Sequence, residues 1–245
     1  MSRPPRFAIT RSMIASGAVR LAGPELHHLR DVMRLHAGAD IALIDETNIE
    51  YVGRIERLEP HQAIIALSDS VPRAAPTTGE LILAAGLIKG PRMDFLVEKA
   101  AELGASQLIT LLCARSVVRG PGAQRVERWR RLATAAAKQS LAPQRMALAP
   151  PMTVAELVRA VPQETFAVVC VSDGPPLSAI LRKAAPRGLL LACGAEGGFD
   201  PVELALMRDA GYCAASLGPN RLRAETAALV ALSIAAAEIH ERSGR

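Results

Sequence analysis

Aromatic residues are nearly missing from this chain: Trp129 is the one tryptophan, and Phe, Tyr and Trp together make up 3% of the 245 residues. The core therefore has to be built from Ala, Leu, Val and Ile, and no platform for stacking splayed bases on aromatic rings is visible. Long apolar runs are missing too. The longest stretch of low charge, "AALVALSIAAA", is too short to span a bilayer, and the opening "MSRPPRFAIT" has no apolar signal core. The cytoplasm is the expected compartment, with no membrane partner. Cysteines are few: Cys113, Cys170, Cys193 and Cys213 form no C-x-x-C pair and lie in or beside apolar runs, so they are expected to be reduced, buried and structural. No His, Cys, Asp and Glu set has metal-ligand spacing, so no metal is expected.

What is present is half apolar by count, with an ordinary share of charge and a formal net charge of +5. A globular protein follows from the first two. The third favours an acidic partner, nucleic acid first among the candidates. The length suits one large domain or two modest ones, and two are expected.

Residues 1 to about 70 are β-rich: "DIALIDE", "EYVGRIERL" and "QAIIALSD" are short runs rich in β-branched residues, separated by the turn-like "ETN" and "EPH". Such a meander suggests a small barrel. Ahead of it, "GPELHHLRDVMRLHAG" spaces Leu26, Leu29, Val32, Met33 and Leu35 near helical periodicity, with Pro24 suited to a first turn and Gly38 past the end. One short helix carrying Arg30 and Arg34 is predicted.

"SVPRAAPTTG", residues 70–79, then breaks all periodicity. The boundary falls there, giving domains at 1–72 and 77–245. Beyond it the apolar runs "ELILAAGLI", "QLITLLCA", "TFAVVCVS", "GLLLACG" and "YCAASLG" alternate with helical stretches near 91–104, 124–140, 176–185, 201–210 and 224–241. Apolar strands alternating with helices indicate an α/β domain with a parallel sheet covered on both faces.

In open α/β sheets ligands bind beyond the carboxyl ends of the strands. Two such ends are unusual here. "GAEGGFDP" joins Gly194, Gly197 and Gly198 to Asp200-Pro201, an N-cap followed by a first-turn proline. "LGPNRLRAET" joins Gly218-Pro219 to Arg221 and Arg223, then to Glu225-Thr226 at the opening of the last helix. Either loop alone can be read as a turn that uses glycine for backbone geometry, and neither matches the P-loop or the dinucleotide glycine pattern.

Five stretches, in order, carry a resemblance that runs almost end to end: "HHLRDVMRLHAGADI", "KGPRMDFLVEKAAELGA" at 89–105, "ERWRRLATAAAKQS" at 127–140, "GAEGGFDPVEL" at 194–204 and "LGPNRLRAETAAL" at 217–229. Together they make the chain resemble the RsmE-type ribosomal RNA uracil-N3 methyltransferases of the SPOUT superfamily. The resemblance implies a SPOUT-type α/β domain whose last segment is threaded into a trefoil knot, where general topology would give an ordinary doubly wound sheet. It implies a PUA-like β-barrel ahead of it, a homodimer, and S-adenosylmethionine wrapped by the two glycine-bearing loops. Gly194, Glu196, Gly197, Gly198, Leu217, Gly218, Leu222 and Thr226 are then the cofactor-binding candidates, with the leucines as apolar walls. Glu196 either hydrogen-bonds a ribose or neighbouring backbone, or holds the loop.

The implied reaction is methylation of N3 of one uridine in 16S ribosomal RNA, with the assembled small subunit as the expected substrate. N3 carries a proton and is a poor nucleophile until that proton is lost or shared, and charge develops on the uracil oxygens. Arg223 matches the family's second loop arginine and is the candidate for stabilising that charge; the alternatives are a phosphate contact or a salt bridge to Glu225. Glu225 is the candidate proton acceptor or orients Arg223, although a first-turn carboxylate also simply favours the helix dipole.

Two departures from the family pattern stand out. Asn220-Arg221 follows "LGP" where the family usually has Arg then Ile, and "LAPQRMALAP" follows "KQS" where a Gly-Arg pair is common, which leaves open whether Arg145 replaces that arginine; Gln139 still matches. Arg125, Arg128, Arg130, Arg131 and Lys138 decorate one helix, and Arg3, Arg6, Arg11, Arg30 and Arg34 cluster in the first domain. Each is readable as solvated surface; collectively they fit an RNA backbone, with Arg6, Arg11, His28, Arg30, Arg34, Arg128 and Gln139 as the RNA-binding candidates. The altered loop keeps two rivals open: a non-catalytic RNA-binding or assembly factor on the same fold, and a methyltransferase for another RNA.

Overall fold

The computed structural model describes residues 4–45, 49–72, 80–116, 120–140, 146–162 and 164–243. The chain divides into two compact units, residues 1–75 and 76–245. Residues 73–79 of the predicted linker, together with Arg3 and Arg145, lie outside the described residues.

In the first unit β1 (Arg6–Ala8), β2 (Ile14–Ala15), β3 (Ala18–Leu21), β4 (Asp40–Ile44), β5 (Ile49–Leu58) and β6 (Ala63–Pro72) form one sheet in the order β1-β4-β5-β6-β3-β2. β1 runs parallel to β4, and the other pairings are antiparallel. Along β5, Tyr51, Gly53 and Ile55 point inward while Val52, Arg54 and Glu56 face out, the alternation of a half-buried strand. Phe7 from one side of the sheet and Val19 and Leu21 from the other share a single core with Leu43, Ile55 and Ile65, so the sheet is curled on itself.

The predicted helix is shorter than its periodicity implied. α1 spans Gly23–His27 and passes into a π-helical turn, His28–Val32, closed by the Met33 N–H on the His28 carbonyl (2.9 Å). The wider turn shifts the phase of the apolar positions. Leu26 and Leu29 are buried, whereas Val32 and Met33 are 59% and 41% exposed. Arg34 lies past the end in the left-handed region (φ 52°), so Arg30 and Arg34 do not share a helix.

The second unit is an all-parallel sheet of β7 (Leu81–Gly86), β8 (Gln107–Leu111), β9 (Ala147–Leu148), β10 (Phe166–Cys170), β11 (Leu189–Cys193) and β12 (Cys213–Ala215), in the order β12-β10-β11-β7-β8-β9. The continuous apolar runs now have a cause. In β7, Leu81, Leu83 and Ala85 pack into one core, and Ile82 and Ala84 into another. The first core is closed by α2 (Pro91–Glu102), α3 (Ala123–Gln139), α5 (Leu177–Ala184) and α7 (Ala224–Ser243), the second by α4 (Val154–Ala160) and α6 (Pro201–Asp209). Helix α4 escaped the sequence reading although "TVAE" carries its signal: Thr153 and Glu156 form a reciprocal capping box. Two of the four cysteines expected to be buried, Cys170 and Cys213, are only partly so; all four are free.

Among the described residues no helix is long and apolar enough to cross a membrane. Leu191 is 0% exposed between β7 and β10. Leu191→Ala should therefore cost about 2–5 kcal/mol, read as a fall in the urea midpoint; a loss under about 1 kcal/mol would mean that this face is loosely packed.

Candidate active site

Because every strand of the second unit runs the same way, the loops after β7, β8, β11 and β12 emerge along one edge of the sheet, and three of them meet. The loop after β11 is pinned by α6. Asp200 caps the helix, its Oδ1 accepting from the Glu203 N–H (2.7 Å), while Glu203 Oε2 accepts from the Asp200 N–H (2.9 Å). The other oxygen of buried Glu203 accepts from the Ala114 N–H (2.8 Å), tying in the loop after β8.

The glycines answer to crowding between chain segments. A Cβ on Gly86, at the end of β7, would stand 2.1 Å from the Ala195 nitrogen. One on Gly194 would meet the Gly198 Cα at 2.9 Å, and one on Gly197 would meet the Arg115 Cβ at 2.9 Å. Gly198 (φ 67°) and Gly218 (φ 129°) need glycine for a different reason, a backbone that L residues rarely adopt, and their Cβ positions face open space. Gly86, which the sequence reading did not single out, is the most tightly confined of these.

After β12, Ser216 Oγ accepts from the Gly218 N–H and donates to the Gly218 carbonyl (both 3.3 Å), and half-buried Leu217 packs against the core. Leu222 is half-buried as well, while Asn220, Arg221, Arg223 and Thr226 are exposed. The Arg223 carbonyl accepts from the Ala227 N–H (2.8 Å), which starts α7. Glu225, in the first turn, is 8% exposed.

Glu225 does not pair with Arg223. Its cationic neighbour is Arg92, whose Nη1 lies 3.5 Å from Glu225 Oε2 and whose Nη2 donates to Glu196 Oε1 at 2.7 Å. The 3.5 Å approach falls short of hydrogen-bond geometry, so Oε2 is a buried oxygen with no hydrogen-bond partner. One arginine thus joins the two loops that the sequence singled out. It belongs to the quoted "KGPRMDF" stretch but had been given no role; a cation just past a strand's carboxyl end was the signal available.

Cys113, beside the glycine loop, is pushed up to about 11, chiefly by burial and partly offset by a hydrogen bond from the Ala195 backbone. It is a protonated thiol at neutral pH, a poor nucleophile. Among the described residues no three His, Cys, Asp or Glu side chains converge as a metal-ligand set.

The basic residues divide by unit. In the second, Arg125, Arg128 and Arg131 line an open groove of about 650 Å³ with Gly90, Asp94 and Gln124. Arg128 Nε donates to Asp94 Oδ2 (2.8 Å), whose other oxygen takes the Trp129 indole N–H (2.8 Å). Gln139 is exposed at the far end of α3. In the first unit Arg6 pairs with Glu50 (3.3 Å), Arg11 is exposed, and the exposed His28 ring meets Phe7 edge-on at 5.8 Å. Arg30 is committed to Asp31 and to the Pro60 carbonyl, and its hydrogen bonds hold the Asp31 carboxyl down at about 2.

Comparison with known proteins adds independent findings. Residues 75–236 match the model of an RNA methyltransferase domain, and residues 21–68 that of an RNA methyltransferase PUA domain. The chain is 32% identical over 234 residues to the ribosomal RNA small subunit methyltransferase E of Synechocystis, covering 93% of this chain and 76% of that one. It is 27% identical to the Bacillus subtilis protein of the same name, over 87% of each. A crystal structure of a ribosomal RNA small subunit methyltransferase E from Neisseria gonorrhoeae, bound to S-adenosyl methionine, superposes with a TM-score of 0.69 at 27% identity, covering 94% of this chain and 96% of that one.

The confinement of Gly86 gives a direct check on the site's architecture. Gly86→Ala should lose at least about 1–3 kcal/mol of stability, since backbone cannot yield to the added methyl, and should raise amide exchange across residues 194–198. Gly188→Ala, where a Cβ meets nothing within 4 Å, should stay within about 0.5 kcal/mol of the parent. Equal effects in the two variants would refute the confinement.

Proposed function

The chain belongs to the RNA methyltransferase family that includes the ribosomal RNA small subunit methyltransferases E, and from that premise we propose that it methylates N3 of one uridine in 16S ribosomal RNA, using S-adenosylmethionine. Its fold class is the one expected from the sequence: a SPOUT-type α/β domain preceded by a PUA-like β-barrel. The trefoil knot is part of the proposal, supported by α7 leaving edge strand β12 and returning over the central strands β7 and β11.

The observation that carries the reading is the buried Glu225 carboxylate oxygen without a hydrogen-bond partner, set where the two glycine-bearing loops meet. The cofactor fits the residues around it. Open backbone at Gly198 and Gly218 leaves room for close approach, and Leu217 and Leu222 supply half-buried apolar walls. When bound, S-adenosylmethionine supplies a methyl group activated by a sulfonium. Segments 194–198 and 217–226 hold it, with Glu196 fixing the first.

Glu225 would accept the N3 proton of the uracil, leaving on N3 the electron pair that takes up the methyl group the cofactor would supply. Arg223, exposed and without a side-chain partner among the described residues, reaches the uracil oxygen on which charge develops. A thiolate route is unsuited to the site because Cys113 stays protonated. The groove lined by Arg125, Arg128 and Arg131 takes RNA phosphates, as do Arg6, Arg11, Arg30 and Arg34 with His28 and Gln139, so RNA affinity should fall as salt rises.

The protein acts as a homodimer in the cytoplasm on the assembled small subunit. Support for the dimer comes from the middle of α7, which keeps Leu229, Val230 and Ile234 only half-buried, beside α2 with its 47% exposed Phe95.

Nucleoside mass spectrometry of ribosomal RNA from cells with and without the gene should show one 3-methyluridine disappearing from a small-subunit fragment and returning with purified protein and cofactor. No change in any methylated uridine would leave a binding protein on a methyltransferase fold. Arg223→Ala should lower turnover about 10²–10³-fold while leaving cofactor affinity within a few fold; parallel loss of both would make its role structural.

A further inference from the structure

We propose that Arg92 is a positioning residue that locks the glycine loop after β11 to the first turn of α7; the inference rests on the roles given above to Glu196 and Glu225. Three parts of the chain converge on its guanidinium. Arg92 stands in the first turn of α2, two residues after Gly90, which turns the chain with φ 65° ahead of the helix, and right before Met93, which is 0% exposed and anchors the helix. Glu196 comes from the loop after β11, 104 residues away in sequence. Glu225 comes from α7, beyond β12.

Two carboxylates drawn to one place repel unless a cation stands between them. A guanidinium is suited to this because it is planar, permanently charged and offers several donors along fixed directions. The two contacts differ in kind. Nη2 to Glu196 is a short charge-assisted hydrogen bond of 2.7 Å, which sets where the loop lies. Nη1 to Glu225 Oε2, at 3.5 Å, balances the charge of a carboxylate whose side chain is only 10% exposed without occupying the oxygen. A buried carboxylate left without compensation is strongly disfavoured. Arg92 therefore sets a positive charge beside the Glu225 carboxylate and leaves its acceptor lone pair open at the same time, a combination that a hydrogen-bonded partner could not supply.

The Arg92–Glu196 pair is itself about a third exposed on each side, so it adds little to global stability. Its effect is local: it orders the loop on which cofactor affinity depends.

The test uses Arg92→Met, Arg92→Lys, Glu196→Gln and the double variant Arg92→Met/Glu196→Gln in the full-length protein. Three quantities are read: amide hydrogen exchange across residues 194–198 without ligand, S-adenosylmethionine affinity by calorimetry, and kcat and KM on small-subunit particles. Arg92→Met should speed exchange in that loop and weaken cofactor affinity about tenfold, with Glu196→Gln doing much the same and the double variant no worse than either. Arg92→Met should also lower kcat further than Glu196→Gln does, and Arg92→Lys, which can reach one carboxylate but not both, should recover loop protection more fully than kcat.

Wild-type exchange and affinity in Arg92→Met, or losses that add in the double variant, would overturn the proposal. If Arg92→Met does not fold, the comparison of Arg92→Lys with Glu196→Gln decides the point by the same exchange measurement. Failure of wild-type protein to methylate the particles would remove the proposed reaction, while loop exchange and cofactor affinity would still judge Arg92.

Discussion

Glu203 is buried on α6, and both of its carboxylate oxygens accept backbone N–H groups, Asp200 at 2.9 Å and Ala114 at 2.8 Å. The first closes the helix's own capping box; the second reaches into the loop that follows a different strand. A carboxylate can be buried at modest cost only when its charge is met in this way, here by one N–H at the α6 N-cap and one from the loop after β8. Everything at the carboxyl edge of the sheet inherits that geometry. With Asp200 and Ala114 fixed, the chain between Gly194 and Phe199 has little freedom. It passes close enough to β7 that position 86 admits only a hydrogen where another residue has Cβ, and close enough to Arg115 that the same holds at 197.

That confinement separates two uses of glycine along this edge of the sheet. Gly86, Gly194 and Gly197 exist because protein packs on protein; Gly198 and Gly218 carry positive φ beside open space. Only the second kind has open space on its Cβ side. Which glycines are confined by neighbouring chain becomes decidable only when the neighbouring strands are in place.

The same limit governs how much else was legible. The parallel sheet could be read from "LILAAG" and "LLLAC", because a strand buried on both faces has no polar alternation to hide, and the helices of the second unit follow from their spacing and caps. The short helix before the barrel was overextended because a π-helical turn at His28–Val32 has no signature in an apolar spacing that assumes a regular helix. At the site, Glu225 was visible as a first-turn carboxylate, but its partner was not. Arg223, two residues away, is the partner that sequence spacing offers as one alternative, whereas Arg92, 133 residues earlier in sequence numbering, is the one that the fold delivers. Ion pairs between loops are products of topology, and single-sequence spacing carries no information about them.

Helix α7 shows how packing and chemistry meet in one element. Ala224, Ala228, Ala231 and Ala235 recur at helical spacing on one face, all nearly or fully buried, against the side of the sheet that carries Leu83, Leu189 and Leu191. Small side chains let the helix axis lie close to the strands, and they do so at the end where the helix begins at the site. Glu225 follows directly on Ala224, so the depth at which its carboxylate sits is set by how closely that stripe approaches the sheet. Bulk at Ala228 would lift the first turn, carry Glu225 toward solvent and lengthen an approach to Arg92 that is already 3.5 Å. The alanine stripe is thus the condition under which the Glu225 carboxylate is held buried beside Arg92 with one oxygen left free of hydrogen bonds.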